Sequence, residues 1–334
     1  MLIMILDSKL VFQSASEGIA LCLKTVIPSL YPFLIISGLI TASIPKTCRS
    51  QRSFVQKLLG IPSGTFPILL LGFLGGYPSG AQNVYQLYKE KRIRKEDAER
   101  MLPICNNAGP AFIFGMMASL FSGKAIPWVL WSIQILSCAF VAVILPKRTC
   151  HAVLSGHERS GSIVTALQSA THTMAYICGW VILFRILLVF MEHRLLFLLP
   201  PILKILICGF LELTNGFVAL NAVSRERIRF IIASLFLSCG GICVFMQTKS
   251  VVRELNIKLY CIGKGLHTLI SLALSVLVQP FLFQCSAKEY LSSLLILGMI
   301  AGFIMICAIV TKKVVAIQEK VLYNGKKSES EVLL

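Results

Sequence analysis

A chain of 334 residues that is 56% hydrophobic, 14% charged and strongly positive in mean hydropathy (+0.79) is not a soluble domain. Its net charge of +17 would invite nucleic acid, but the Lys and Arg sit in short stretches between uncharged runs, where basic residues set membrane topology. The twelve cysteines form no C-x-x-C pair and no His/Cys cluster at zinc spacing, so neither a disulfide framework nor a metal site is expected. Cys22, Cys138, Cys178, Cys208, Cys239 and Cys261 lie in apolar segments as small packing residues.

The first dozen residues are apolar but carry Asp7 and Lys9, with no cleavage pattern behind them. They read as a shortened first helix or anchor rather than a signal peptide. Residues 14–27 form a mildly amphipathic lead-in and 28–44 the first full span. A basic segment with Lys46, Arg49, Arg52 and Lys57 follows, an interfacial helix ending at Pro62-Ser63-Gly64. Across the chain, uncharged runs recur at 26–45, 101–123, 125–146, 160–184, 230–248, 265–287 and 290–311, most of them long enough to cross a bilayer. The predicted class is an all-α polytopic membrane protein, its surroundings membrane lipid.

The stretch after the basic segment organises the remainder. From Leu58 to Tyr88 there is no charged side chain, yet the centre reads Gly75-Gly76-Tyr77-Pro78-Ser79-Gly80, which destabilises a continuous helix. A helix needs roughly 20 residues at ~1.5 Å each to cross, and broken backbone in hydrocarbon must be covered by protein or trapped water. The pattern predicts a re-entrant hairpin of two half-length helices with its tip near the midplane. Pro78 and Ser79 would start the returning helix, with Ser79 as its cap. Its free N–H groups would seat a carboxylate or phosphate. Gln82 and Asn83 add amides one turn further in. Gly76, Ser79, Gly80, Gln82 and Asn83 are therefore candidate substrate-binding residues; the bland alternative is that Gly and Pro here only permit close helix packing.

The hairpin leaves through the charged run Lys89 to Lys95, and Glu96, Asp97 and Glu99 open the next helix ahead of Arg100, in keeping with the helix dipole. The span near 101–121 is interrupted at Asn106-Asn107-Ala108-Gly109-Pro110. Two adjacent amides in an apolar run must be hydrogen-bonded. Asn106 and Asn107 either bridge unwound backbone to the hairpin tip or touch solute. Ser122-Gly123-Lys124 is a turn and 126–145 a further span. The polar linker 146–161 reads as the seam between two halves: 1–150, 151–311, and a polar tail over 312–334.

Residues 166–183 resemble 20–37, and Gly240-Gly241 precedes Gln247 as Gly75-Gly76 precedes Gln82. That spacing makes Gln247 a candidate and places the extra residues of the second half around 200–221. A plain single span at 230–248 is the alternative. Thr214-Asn215-Gly216, after Glu212, reads as a helix end, with Asn215 a lesser candidate. His267 could handle protons or donate to an anion, or simply bond a backbone carbonyl. Arg185 and His172 rank lower, Arg185 being close enough to snorkel. No Asp or Glu falls inside a span, Glu192 and Glu212 lying at segment ends, so amides, hydroxyls and helix N-termini favour an anionic or neutral solute. If 195–211 lies in the interface the two hairpins enter from opposite faces; if it crosses, most basic residues fall on one face. Its Lys204 and Pro200-Pro201 favour the first. No nucleophile elbow, paired membrane carboxylates, H-E-x-x-H, P-loop or dinucleotide fingerprint is present, so neither an enzyme nor a cofactor is expected. Related halves that each hold a broken helix point to a transporter of a small-molecule solute.

The run Leu71-Gly72-Phe73-Leu74-Gly75-Gly76-Tyr77-Pro78-Ser79-Gly80-Ala81, then Cys105-Asn106-Asn107-Ala108-Gly109-Pro110, Glu212-Leu213-Thr214-Asn215-Gly216 and Gly240-Gly241 with Gln247 resemble the YlbJ-type sporulation integral membrane proteins of endospore-forming Firmicutes. Those proteins carry nucleoside-recognition (Gate) domains, and the similarity covers roughly 15–310. It implies a multi-pass inner-membrane or forespore-membrane protein and distant kinship with concentrative nucleoside transporters, whose hairpin tips and broken helices bind solute. It further implies movement of a small solute, dipicolinate into the forespore being the leading candidate; protein partners are left open. Nucleoside carriers place carboxylates on ribose hydroxyls where this chain has Gln82, Asn83 and Gln247, a difference that favours an aromatic dicarboxylate.

Overall fold

The computed structural model describes residues 7–43, 54–146 and 163–283, together with Gly298. The basic residues Lys46, Arg49 and Arg52, most of the expected seam, the 290–311 span apart from Gly298, and the tail lie outside the described residues. The described part is 83% helical with no strand, and five of its helices are long and apolar enough to cross a membrane. Large apolar side chains point outward, among them Leu136, Phe140, Leu183, Leu187 and Phe281. Such a surface is an aggregation hazard in water and the natural state in lipid. The protein is an all-α, multi-pass membrane protein.

The chain begins with α1 (Ser8–Leu21), a π-helical turn (Cys22–Val26) and α2 (Ile27–Ser43). The expected lead-in and first span are therefore one long rod. Pro28 and Pro32 do not end it, because the π turn absorbs the mismatch: the Ile27 N–H reaches back to the Cys22 carbonyl, one residue further than in an α-helix. This rod runs antiparallel to α9 (Ile163–Arg194). Arg194 pairs with Asp7 at 2.7 Å, Arg185 with Glu17 at 2.7 Å, and Tyr31 bonds Thr171 at 2.8 Å.

Between them the chain makes α3 (Phe54–Leu59), α4 (Phe66–Gly75), α5 (Ser79–Lys89), α6 (Lys95–Cys105), α7 (Pro110–Leu120) and α8 (Ile126–Ile144). After α9 come α10 (Pro201–Leu211), α11 (Leu213–Leu220), α12 (Glu226–Cys239), α13 (Gly241–Val251) and α14 (Lys258–Leu282). The predicted hairpin is present as α4 and α5, of 10 and 11 residues, about 15–16 Å each and half a hydrocarbon core. The predicted interruption of the next span is present between α6 and α7.

The order half-helix, break, half-helix, then a broken crossing helix occurs twice, as α4 to α7 and as α10 to α13. By that order the counterpart of the Gly76 tip is Glu212 between α10 and α11, and the counterpart of Asn106–Gly109 is Gly240 between α12 and α13. The expected pairing of Gly75-Gly76 with Gly240-Gly241 followed a spacing shared by two different kinds of break. Thr214-Asn215-Gly216 lies at a helix start, not a helix end. The 11-residue α10 is too short to cross and turns back as α11. Because α12 and α13 together traverse the bundle to the end where Lys89 meets Glu254 at 2.6 Å, the two hairpins enter from opposite ends.

The four breaks meet. A Cβ on Gly76 would stand 2.8 Å from the Gly109 nitrogen, one on Gly240 3.4 Å from the Tyr77 ring and hydroxyl, and one on Gly241 2.9 Å from the Phe210 carbonyl beside Glu212. Gly76 and Gly240 both have φ near +75°, a region that favours glycine. Gly240→Ala is expected to lose about 1–2 kcal/mol from this backbone term, measurable as a lowered melting temperature in detergent. Hydroxyls close the interior nearby: Gln134 donates to Ser271 at 3.0 Å, Ser271 bonds Ser234 at 2.9 Å, and Ser275 donates to Ser234 at 2.7 Å, tying α8, α12 and α14 together.

Candidate functional site at the meeting of four helix breaks

A cavity of about 40 Å³ lies where the breaks converge. Three breaks contribute to its wall, Tyr77 from the first, Gly109 from the second, and Glu212, Leu213 and Thr214 from the third, and α13 adds Val244 and Gln247, about one and two turns past the fourth. The π turn and α2 add Val26, Ser29 and Leu30, and α9 adds Ile177 and Val181.

The polar floor is Glu212. Its carboxylate is 2% exposed and accepts from the Thr214 N–H at 3.1 Å, the Asn215 N–H at 2.7 Å and the Asn215 Nδ2 at 2.7 Å. It therefore caps α11 at its N-terminus. Asn215 passes the contact on, its Oδ1 accepting from Arg185 at 3.0 Å, and Arg185 pairs with Glu17. Arg185 lies nine residues inward from the Asp7–Arg194 pair, about 14 Å at the helical rise. It joins Glu212 to Glu17 through Asn215.

A second polar cluster lies behind Tyr77. Asn107 and His267 are 0% and 1% exposed. The Asn107 Nδ2 donates to the Ile104 carbonyl at 2.8 Å, and its Oδ1 accepts from Lys264 at 3.2 Å. His267 Nε2 is 3.1 Å from the Gln134 carbonyl, so that nitrogen carries the proton and Nδ1, 3.4 Å away, faces Lys264 as acceptor. Lys264 is 7% exposed and sits 5.0 Å from the centre of the Tyr77 ring. The Tyr77 hydroxyl donates to the Leu237 carbonyl. Asn106 donates to Thr248 at 2.9 Å and Tyr260 at 3.1 Å; its Oδ1 has no partner among the described residues.

Of the residues predicted from sequence, Gln247 lines the cavity, donating to Cys243 Sγ at 3.3 Å, and Asn215 braces Glu212. Asn106, Asn107 and His267 join the second cluster, and Gly76 forms the turn that presents Tyr77. Ser79, Gly80, Gln82 and Asn83 lie outside the cavity wall. Ser79 is not a cap: its hydroxyl donates back to the Gly76 carbonyl at 2.7 Å. Gly80 packs on the Cys105 carbonyl, so the start of α5 abuts the end of α6 instead of opening as an anion seat. Gln82 donates to Ser169 at 2.8 Å, and the Asn83 Nδ2 is buried without a partner among the described residues.

A comparison with curated proteins finds the sporulation integral membrane protein YlbJ of Bacillus subtilis (strain 168), 25% identical over 292 residues that cover 74% of this chain and 72% of that protein. The chain is a homologue of YlbJ. No family model and no solved structure matches it.

Three residues of this YlbJ homologue escape the sequence reading. Glu212 looks like a segment end because the half-helices on either side are short, yet it is a buried acid in the cavity wall. Lys264 borders an uncharged run in the sequence and is enclosed when α14 starts at Lys258. Tyr77, the non-glycine in a glycine- and proline-rich turn, is the signal that could have found the cavity: a bulky side chain at a break has to fill something.

Proposed function

We propose that this YlbJ-type protein is a membrane carrier that holds a small solute where the four helix breaks meet, and that its task is transport, not catalysis. The single observation that supports this most is one cavity lined by residues of three breaks and of the helix that follows the fourth, with Glu212 and Gln247 in its wall. Half-helices entering from opposite ends are the geometry by which carriers expose one site alternately. At about 40 Å³ the cavity has room for waters only, against roughly 300 Å³ or more for small-molecule pockets. The breaks must part to admit an aromatic ring, and Gly76 and Gly240 are where they can.

The leading solute is dipicolinate, carried into the forespore, as the resemblance to the sporulation family implies. A second solute class has an observation in its favour. Glu212 places a carboxylate at a hairpin break, where the related nucleoside carriers hold ribose hydroxyls, so a nucleoside-recognition role returns as the alternative. Purified protein in liposomes, assayed for uptake of labelled dipicolinate and labelled uridine, separates the two. Uptake of either above empty liposomes supports carriage and picks the class; uptake of neither, by folded protein, would leave a scaffold that recruits partners through its charged loops.

A further inference from the structure

We propose that Lys264 is the residue that takes a carboxylate or similar anionic group of the solute, and that the Tyr77 ring is the partition between it and the cavity. This rests on the carrier reading and deepens it.

Lys264 is an ammonium enclosed at the centre of the bundle, and among the described residues no carboxylate touches it. Its contacts are one amide oxygen (Asn107, 3.2 Å), one imidazole nitrogen (His267, 3.4 Å) and one aromatic face (Tyr77, 5.0 Å). All three are neutral. An ammonium enclosed without an anion is costly unless its charge is met when the protein works. Glu212 is not that partner, since its oxygens are taken up by the Thr214 and Asn215 donors.

Tyr77 stands between the two. Its ring lines the cavity on one side and covers Lys264 on the other. It follows Gly76, and its hydroxyl rests beside Gly240, 3.4 Å from where a Cβ there would stand. The Tyr77 hydroxyl is anchored by one bond, to the Leu237 carbonyl. Breaking that bond and turning the ring would join the cavity to the ammonium. The solute would then exchange the aromatic face for a carboxylate on Lys264, with Asn107 and His267 orienting the lysine.

Equilibrium binding of labelled dipicolinate to the full-length protein in nanodiscs tests this apart from flux. The uncharged pyridine-2,6-dicarboxamide serves as competitor control. Wild type is expected to bind dipicolinate and to ignore the diamide; Lys264→Gln is expected to lose at least tenfold in affinity, with Lys264→Arg retaining part. Tyr77→Phe, which keeps the ring and frees it from Leu237, is expected to bind faster. Equal binding by wild type and a folded Lys264→Gln would overturn the assignment while leaving carriage standing. Absence of dipicolinate binding in wild type overturns it too. Binding that depends on Lys264 without any liposome uptake keeps the anion site and removes the carrier.

Discussion

Arg100→Met is expected to lose about 3–5 kcal/mol of stability, the largest effect expected of any single change in this fold. The sequence places Arg100 one turn into a polar helix start, where a solvated side chain is the ordinary outcome. In the fold it is 1% exposed and donates to the carbonyls of Leu59 and Gly60 (2.8 Å each), Ala142 (2.8 Å), Pro146 (2.9 Å) and Leu145 (3.4 Å). It thus closes the last turn of α8, where carbonyls have no intrahelical donor, and ties that turn to the loop ahead of the first hairpin. Removing it leaves several buried acceptors unmet, each a loss of about 1–3 kcal/mol less relaxation. Lysine keeps the charge but not the fork, so Arg100→Lys should fall between. Thermal unfolding of the detergent-solubilised variants reads the order wild type, Lys, Met; a Met variant as stable as wild type would mean these bonds contribute nothing.

Glu212→Ala is expected to lose about 2–4 kcal/mol, from a missing helix cap and buried donors left unmet. The same change should abolish uptake. Glu212→Gln separates the two effects. The amide oxygen can still accept both Asn215 donors while the Thr214 N–H loses its acceptor, so part of the stability is retained, whereas the carboxylate that Arg185 reaches through Asn215 is gone. Uptake by Glu212→Gln at equal protein per liposome is expected to drop at least tenfold. Full uptake by this variant would make Glu212 a structural cap and nothing more.

Much of the architecture is legible in the chain. The Gly-Gly-Tyr-Pro-Ser-Gly run and the Asn-Asn-Ala-Gly-Pro run break helices wherever they occur, because glycine and proline act through the backbone, and both breaks lie where they are predicted. The third break is hidden because Glu212 interrupts a helix without glycine or proline at the breaking position; the acid itself supplies the stop by capping α11. The site is less legible than the fold for a related reason. Ser79, Gly80, Gln82 and Asn83 have the right chemistry, but a helix face is assigned by packing, and Cys105 with Asn106 occupies the face they start from. Lys264 and Arg100 are enclosed by contacts over 150 and about 40 residues away in the chain, and no local pattern reports such contacts.

Carriage requires that one point at mid-depth be reached from both faces in turn. A single cysteine at Thr214, in a background without the native cysteines, tests this with a membrane-impermeant thiol reagent applied to either face of sealed vesicles. Labelling is expected from both faces, slowed from each by saturating dipicolinate or uridine, whichever the protein carries. Labelling from one face alone under all conditions, or from neither, would contradict alternating exposure.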